Sequence, residues 1–550
     1  MRVFLRNLAK DPRHLDAFFR FMRYALYIGQ ASMIAYIGFK YHVVEDWIGD
    51  NPELDFYAAK IHSYLQFVFP RDRFRPAHYT LLSTALAWVT RDAFLAGKIV
   101  SMISGVAFYV LVGRIARAVF NRTTEVAVLF FLLGSLPLLM ASVRVASDML
   151  FWALLAGATV LALGIFDRPA KREHALVCLG LLLGAAAGVR YTASFLFIPL
   201  GIVLWIGVRE DFSPRRTSGL CGLVLLGFFV GYLPAALMNI WIFGEPFYSE
   251  NWRNTLFSYF EYRSYLGVPA PAGFDTYALV RAEKSVYLAE ALAHPDLFVG
   301  KTVWALVGYF RNGLARDLLQ LGTEWTTLVW AGGCCGLGGF ALLARGTPAG
   351  RRYGHVYLLV LVLVFFILTA FAFLLANRLV LLPGLIVLIY FWGSLSRLSP
   401  PLVVALLIGV SIDQLPAKLA ALEQYAGKHP LSDIAALKRI EALSAGDRGK
   451  VVVVGTNIFL RPRTELNYKR FVPPLRLLQD DQAKAEYCEL FSSKIAARHP
   501  DFVLVGSVSS YGYATPQCPE VFPSSQWNHE DIEAAGATTR LYIKGRAVDR

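Results

Sequence analysis

The sequence predicts a polytopic α-helical membrane protein, a bundle of about 11 transmembrane helices followed by a small C-terminal α/β domain. Three observations predict it. Of the 550 residues, 56% are hydrophobic and only 17% charged, and the mean hydropathy is +0.47. Apolar runs of about 18 to 22 residues recur as far as about residue 400, each long enough to cross a hydrocarbon core of roughly 30 Å. Arg and Lys concentrate in alternate connections between those runs, which is how a membrane protein anchors its cytoplasmic face. The net charge of +14 is accounted for in this way and is not a nucleic-acid footprint.

Residues 1–21 mix Arg2, Arg6, Lys10, Arg13 and Arg20 with Phe4, Leu5, Leu8, Leu15 and Phe18, a basic amphipathic segment suited to the inner membrane surface. Met22–Val44 is the first span; it has no small-residue cleavage site and reads as a retained helix. The first outer loop, 42–93, contains the apolar stretch Ala77–Val89, too short to cross and therefore interfacial. Phe94–Phe120 returns to Arg114, Arg117 and Arg122. Val126–Val143 then goes out and Leu150–Phe166 returns to Arg168, Lys171 and Arg172; Ala175–Val189 goes out and Ser194–Val208 returns to Arg209, Arg215 and Arg216. Leu220–Phe243 leads to a large outer loop, 244–323, crowded with Phe247, Tyr248, Trp252, Phe257, Tyr259 and Phe260, side chains that favour headgroup depth. Thr326–Leu343, Val356–Leu375 and Leu379–Trp392 continue the alternation, and a short last run, Leu402–Ile412, decides the side of the C-terminal domain. These elements make a membrane domain over 1–412.

Residues 413–550 have soluble character. Lys450–Gly455 and Asp501–Gly506 are buried-strand patterns ending in glycine, each preceded by a helical pattern, and Arg540–Lys544 is a third candidate strand. No Gly-Lys-Ser/Thr comes after Gly455, so this is not a phosphate loop. Six cysteines make no metal pattern. Cys488 and Cys518 pair if this region faces an oxidising compartment, but spacing alone does not establish the geometry.

The polar residues that interrupt the apolar pattern gather on one side. Glu45, Asp46, Asp50, Glu53 and Asp55 crowd the first outer loop, where carboxylates raise one another's pKa. Lys98 begins the second span, Arg144 and Asp148 occupy the hairpin between the third and fourth, Arg190 lies between the fifth and sixth, and Arg378 between the ninth and tenth. A single Arg at a helix end also snorkels to headgroups. Several on one side, facing an acidic loop, form an electropositive collar beside a carboxylate, suited to an anionic phosphate and a base.

In order and topology these motifs resemble those of the GT-C superfamily of integral-membrane glycosyltransferases, in the branch of the protein O-mannosyltransferases and lipid A aminoarabinose transferases. Asp55-Phe56-Tyr57-Ala58-Ala59 is similar to its Asp-x-x-Tyr-Tyr element, and Arg75-Pro76-Ala77-His78-Tyr79 stands where a His-Pro-Pro-Leu-Tyr-Tyr element is expected, with the histidine displaced. Lys98 matches a basic residue at the start of the second span, and Arg144 with Asp148 an Arg-x-x-x-Asp hairpin. Val189-Arg190-Tyr191-Thr192 resembles a Leu-Thr-Lys-Gly hairpin with Arg for Lys, and Arg378 with Pro383 an Arg-Tyr-x-x-Pro element without its tyrosine.

The resemblance covers residues 20–210 and 370–395 and does not extend to the C-terminal domain. It implies transfer of a sugar from a polyprenyl-phosphate donor to a lipid, glycan or protein acceptor at the outer face. The setting it implies is a bacterial inner membrane, with a cytoplasmic N-terminus and an extracytoplasmic C-terminal domain. Asp55 is then the general base. Lys98, Arg190 and Arg378 surround the leaving phosphate; Asp148 holds Arg144 or contacts an acceptor or metal; Tyr57, His78 and Tyr79 line the sugar pocket or pack the interfacial helix. A divalent cation is compatible with the resemblance, although no His/Cys ligand spacing establishes one. A transporter or flippase of lipid-linked sugars is the competing class; it is expected to show internal repeats and discontinuous midplane helices, whereas here the polar residues cluster at one rim.

Overall fold

A computed structural model of the chain describes residues 12–40, 53–69, 75–167, 172–203, 214–250, 252–266, 289–290, 292–309, 323–343, 349–372, 380–399, 403, 406, 431–444, 451–455, 467–471, 484–506, 516–534 and 537–545. The N-terminal part is a helical bundle. It opens with α1 (Pro12–Lys40), α2 (Glu53–Leu65), α3 (His78–Thr90) and α4 (Ala93–Val119). The basic segment before Met22 is not separate from the first span from Pro12 onward: α1 runs through both without a break, because the intervening residues include no glycine and no proline after Pro12. Two short helices, α2 and α3, occupy the first loop. α3 stops at Arg91, whose N–H still bonds to the Ala87 carbonyl and whose left-handed φ of 55° turns the chain out of the helix. Asp92 then caps α4, accepting from the N–H groups of Phe94 and Leu95.

The expected third span is not straight. It is two helices, α5 (Arg122–Leu132) and α6 (Leu136–Val143), bent by 75° at their junction. Gly134 at φ +68° and Pro137 at the start of α6 supply the left-handed turn and the new helical start that such a bend needs. Beyond it come α7 (Asp148–Asp167), α8 (Arg172–Ala187) and a helix that begins as a tight 3₁₀ turn, α9 (Tyr191–Val203). The rest of the bundle is α10 (Pro214–Phe243), α11 (Trp252–Tyr265), α12 (Pro295–Gly308), α13 (Thr323–Leu343), α14 (Ala349–Ala372) and α15 (Leu381–Leu398).

Among the described residues, five helices are long and apolar enough to cross a membrane: α4, α7, α10, α14 and α15; counting the bent α5–α6 pair as one span makes six. The apolar helices 173–187, 191–203 and 327–342 are shorter. One continuous core unites the bundle, with Trp152, Tyr109, Tyr357, Tyr390 and Trp392 fully buried in it. α10 adds Val224, Phe228, Tyr232 and Ala235 to this core and presents Leu226, Phe229, Val230, Leu233, Leu237 and Trp241 outward, the surface a lipid-facing helix requires. Of Leu402–Ile412, only Val403 and Leu406 lie within the described residues.

Among the described residues the C-terminal part is an α/β unit of five strands, two more than the sequence pattern gives. β1 (Val452–Gly455), β2 (Asn467–Arg470), β3 (Phe502–Gly506), β4 (Trp527–Ala534) and β5 (Ala537–Lys544) lie in the order β2-β1-β3-β5-β4. β1 is parallel to both neighbours, and β5 pairs antiparallel with β3 and β4. α16 (Leu431–Leu443) packs Ala436, Leu437 and Ile440 on one face, and α17 (Lys484–Arg498) packs Tyr487 and Phe491 on the other. β2 and β4 escape the sequence pattern because, as edge strands, they carry polar side chains such as Lys469, Glu530 and Asp531. Cys488 and Cys518 are joined in a disulfide.

Candidate functional site

Of the residues singled out in the sequence, Tyr57, His78, Tyr79, Asp148 and Arg190 meet at the end of the bundle where α3, α4 and α7 begin and α8 ends. Helix α2 turns its stripe of Tyr57, Lys60, Ile61 and Tyr64 inward, all buried, at the i, i+3, i+4 and i+7 spacing of one helix face. Tyr57 meets Tyr79 of α3 edge to face, with ring centroids 4.9 Å apart, and the Arg75 guanidinium lies 5.6 Å from the centre of its ring. Tyr79 is fully buried and donates its hydroxyl to the Gly97 carbonyl of α4 at 2.9 Å, with Ser101 Oγ at 3.2 Å. Both tyrosines therefore pack the interfacial helices against the bundle.

The hairpin 144–147 joins α6 to α7. Arg144 is half-buried, with extended backbone, and Asp148 opens α7, where a carboxylate suits the positive end of the helix dipole. Asp148 does not hold Arg144: its Oδ1 takes the Nη2 of Arg190 at 2.7 Å. Arg190 reaches it from the turn after α8, which ends because the chain bonds back on itself, Val189 and Arg190 N–H both to the Ala186 carbonyl. Arg190 also donates through Nε to Ser147 Oγ at 3.2 Å, and Ser147 Oγ accepts from the Tyr57 hydroxyl at 2.8 Å. Ser147 is wholly buried, and Asp148 only 8% exposed. Here the carboxylate, the guanidinium, a hydroxyl and a phenol are arranged by three separate elements. The pair is shielded from water, so its geometry is held more firmly than that of a surface ion pair.

His78 sits next to this cluster. Its backbone N–H bonds to Gly188 O at 2.9 Å and its Nδ1 lies 3.0 Å from Ala185 O. A carbonyl only accepts, so Nδ1 carries the proton and Nε2 presents a lone pair. Nε2 is buried, with no hydrogen-bond partner among the described residues. Burial holds the His78 pKa below its ordinary value, the carbonyl on Nδ1 opposing that shift. The fit leaves no room at Gly188, where a Cβ would fall on the imidazole ring. Lys98 is buried in α4, next in sequence to the Gly97 carbonyl that Tyr79 grips.

Tyr57, Tyr79, Arg190 and Asp148 are thus brought into one connected group, with His78 at its edge. Asp55 lies in α2, two residues before Tyr57; its side chain, like Arg378 as a whole, lies outside the described residues. Sequence reasoning passed over Ser147, Ser101 and Gly188. Small residues are too common in membrane helices to stand out, and only the position of Ser147 between Arg144 and Asp148, and of Gly188 before Arg190, could have marked those two.

As for a metal, the one His/Cys/Asp/Glu trio among the described residues is Cys488, Cys518 and Glu520, and both thiols are spent in the disulfide. Among the described residues the side-chain partner of Asp148 is the Arg190 guanidinium, which neutralises the carboxylate and is not a cation ligand.

No protein-family model matches the sequence, and no curated protein matches it. Solved structures do match. The Archaeoglobus fulgidus oligosaccharyltransferase in complex with Zn and sulfate aligns with TM-score 0.51 and 13% identity over 94% of this chain and 73% of its own. The oligosaccharyltransferase AglB of that organism, with an inhibitory peptide and a dolichol-phosphate, gives 0.50 and 11% over 96% and 75%. ArnT from Cupriavidus metallidurans bound to undecaprenyl phosphate gives 0.51 and 11% over 98% and 99%. The chain shares its fold with these two oligosaccharyltransferase structures and with ArnT.

Proposed function

We propose that the protein is a membrane glycosyltransferase that moves a sugar from a polyprenyl-phosphate donor to a lipid, glycan or protein acceptor at the outer face of the membrane. One observation carries the reading. A half-buried Arg190, held by Asp148 and Ser147 at one end of the bundle, sits in a fold whose solved members include AglB with a dolichol-phosphate and ArnT with undecaprenyl phosphate.

In this reading Asp55 takes the proton of the acceptor hydroxyl, and the acceptor oxygen bonds to the anomeric carbon. The bond from that carbon to the phosphate oxygen breaks, and its electron pair leaves with the polyprenyl phosphate, whose charge Lys98, Arg190 and Arg378 stabilise. Counting α1, the bent α5–α6 pair, the shorter apolar helices and residues 402–412 as spans gives the expected eleven or so, with the N-terminus cytoplasmic in a bacterial inner membrane. The disulfide supports an extracytoplasmic C-terminal domain.

The test is Asp55→Asn in purified protein reconstituted with a polyprenyl-phosphate sugar. It keeps the shape and removes the base, so transfer falls by at least about a hundredfold while yield and monodispersity stay normal. Full retained activity contradicts the assignment of Asp55.

A further inference from the structure

The hydroxyl of Ser147 belongs to none of the roles above, yet it joins α2 to the Arg190–Asp148 pair. It accepts from Tyr57 at 2.8 Å and from Arg190 Nε at 3.2 Å. A hydroxyl oxygen has two lone pairs, so both are engaged and the oxygen is fixed between its two donors. Ser147 also immediately precedes α7, and its carbonyl accepts from the Phe151 N–H, which pins its backbone. Arg190 is gripped at two nitrogens, Nε by Ser147 and Nη2 by Asp148. Two grips on a rigid planar fork fix its plane as well as its position.

Tyr57 is oriented in turn. It lies edge-on to Tyr79, whose hydroxyl is anchored on α4 by the Gly97 carbonyl, while Ser101, further along α4, donates to the Ala146 carbonyl in the hairpin itself at 3.2 Å. The chain of contacts therefore closes: α2, α3, α4, the hairpin and the turn after α8 are tied into one ring. Its hydrogen-bonded members Tyr57, Tyr79, Ser101 and Ser147 are all essentially inaccessible, which leaves them no surface on which to touch a sugar.

We propose that Ser147 and Tyr57 are positioning residues that set the plane of Arg190 for the donor phosphate, so that seating of the first-loop helix α2 determines donor affinity. This deepens the sugar-transfer reading and rests on it. It also reassigns Tyr57 from pocket lining to the support behind Arg190.

The experiment compares Ser147→Ala, Tyr57→Phe, the double variant and Ser147→Thr in the full-length reconstituted protein. The readouts are KM and kcat for the polyprenyl-phosphate sugar and direct binding of undecaprenyl phosphate. Tyr57→Phe removes the one hydrogen bond to Ser147, and Ser147→Ala removes that bond together with the one from Arg190, a loss of about tenfold. KM and the undecaprenyl phosphate dissociation constant are expected to rise by about that factor, with kcat changed less. The double variant is expected to be no worse than the poorer single, because the two changes break one connection, and Ser147→Thr recovers most of the loss. Tyr57→Phe keeps the buried ring and guards against a folding failure in the serine variants. Unchanged donor KM and affinity in both single variants, or fully additive losses with no threonine rescue, overturn this assignment alone. A wild-type protein that neither transfers sugar nor binds undecaprenyl phosphate contradicts the sugar-transfer reading instead.

Discussion

At the scale of single residues, the site is built from side chains that could not have been paired by inspection. Asp148 and Arg190 are forty-two positions apart (|i−j|=42), and in the sequence the nearer Arg144 is the obvious partner. The fold decides otherwise because α8 runs back alongside α7 and delivers Arg190 to the start of that helix. His78 was legible as a displaced motif residue but its environment was not. It is neutral by burial, with Nδ1 committed to a carbonyl. Since its folded pKa lies below the ordinary 6.5, the unfolded chain binds the proton more readily. The stabilising contribution is therefore complete above about pH 6.5 and is lost as pH falls through that range. Thermal unfolding of the detergent-solubilised protein is expected to show a drop on acidification that His78→Gln flattens; an identical pH dependence in the variant contradicts this account of the imidazole. Gly188→Ala puts a methyl group into that ring, and a cost of about 1–3 kcal/mol is expected in the same measurement.

At the scale of elements, what the sequence made legible was what hydropathy encodes. The apolar runs became helices at nearly the anticipated places, from Ala93–Val119 through Leu381–Leu398. What it hid was local geometry: the join of the basic segment to the first span in α1, and the 75° bend at Gly134. Apolar composition is the same on both sides of such a bend, and one glycine in an apolar run is unremarkable. Glycines also set the closest helix pair. A Cβ on Gly184 would fall on the Phe228 carbonyl, and one on Gly227 on the Val177 carbonyl, so α8 and α10 touch backbone to backbone. Gly184→Ala and Gly227→Ala are each expected to lower stability by about 1–3 kcal/mol. Gly164→Ala in α7, where nothing lies within 4 Å, is expected to be neutral or slightly stabilising. Thermal unfolding of the three variants checks the contrast, and equal effects would refute the close approach.

Taken as a whole molecule, the chain joins a helical membrane bundle to an α/β domain with its own two-sided core. The domain was legible where its strands are buried, as in Val452–Gly455 and Phe502–Gly506, and illegible where they are polar edges. Its disulfide closes a loop of 30 residues, for which chain entropy gives about 3 to 4 kcal/mol. Reduction of the full-length protein is expected to speed backbone hydrogen exchange in β1 and β3, and unchanged exchange would contradict that contribution. The disulfide also bears on sidedness. A cysteine introduced as Ser509→Cys is expected to react with an impermeant maleimide added outside intact cells, and labelling from the cytoplasmic side alone would place the domain on the wrong face.

The central claim is that this bundle performs chemistry on a polyprenyl-phosphate sugar and does not simply carry it across the bilayer. Purified protein in proteoliposomes, given a radiolabelled polyprenyl-phosphate sugar and a cell-envelope extract as acceptor, separates the two. The account predicts label in the acceptor, one equivalent of free polyprenyl phosphate released per sugar moved, and neither with Asp55→Asn. Label that crosses the membrane still attached to its lipid, with no polyprenyl phosphate released, would contradict it.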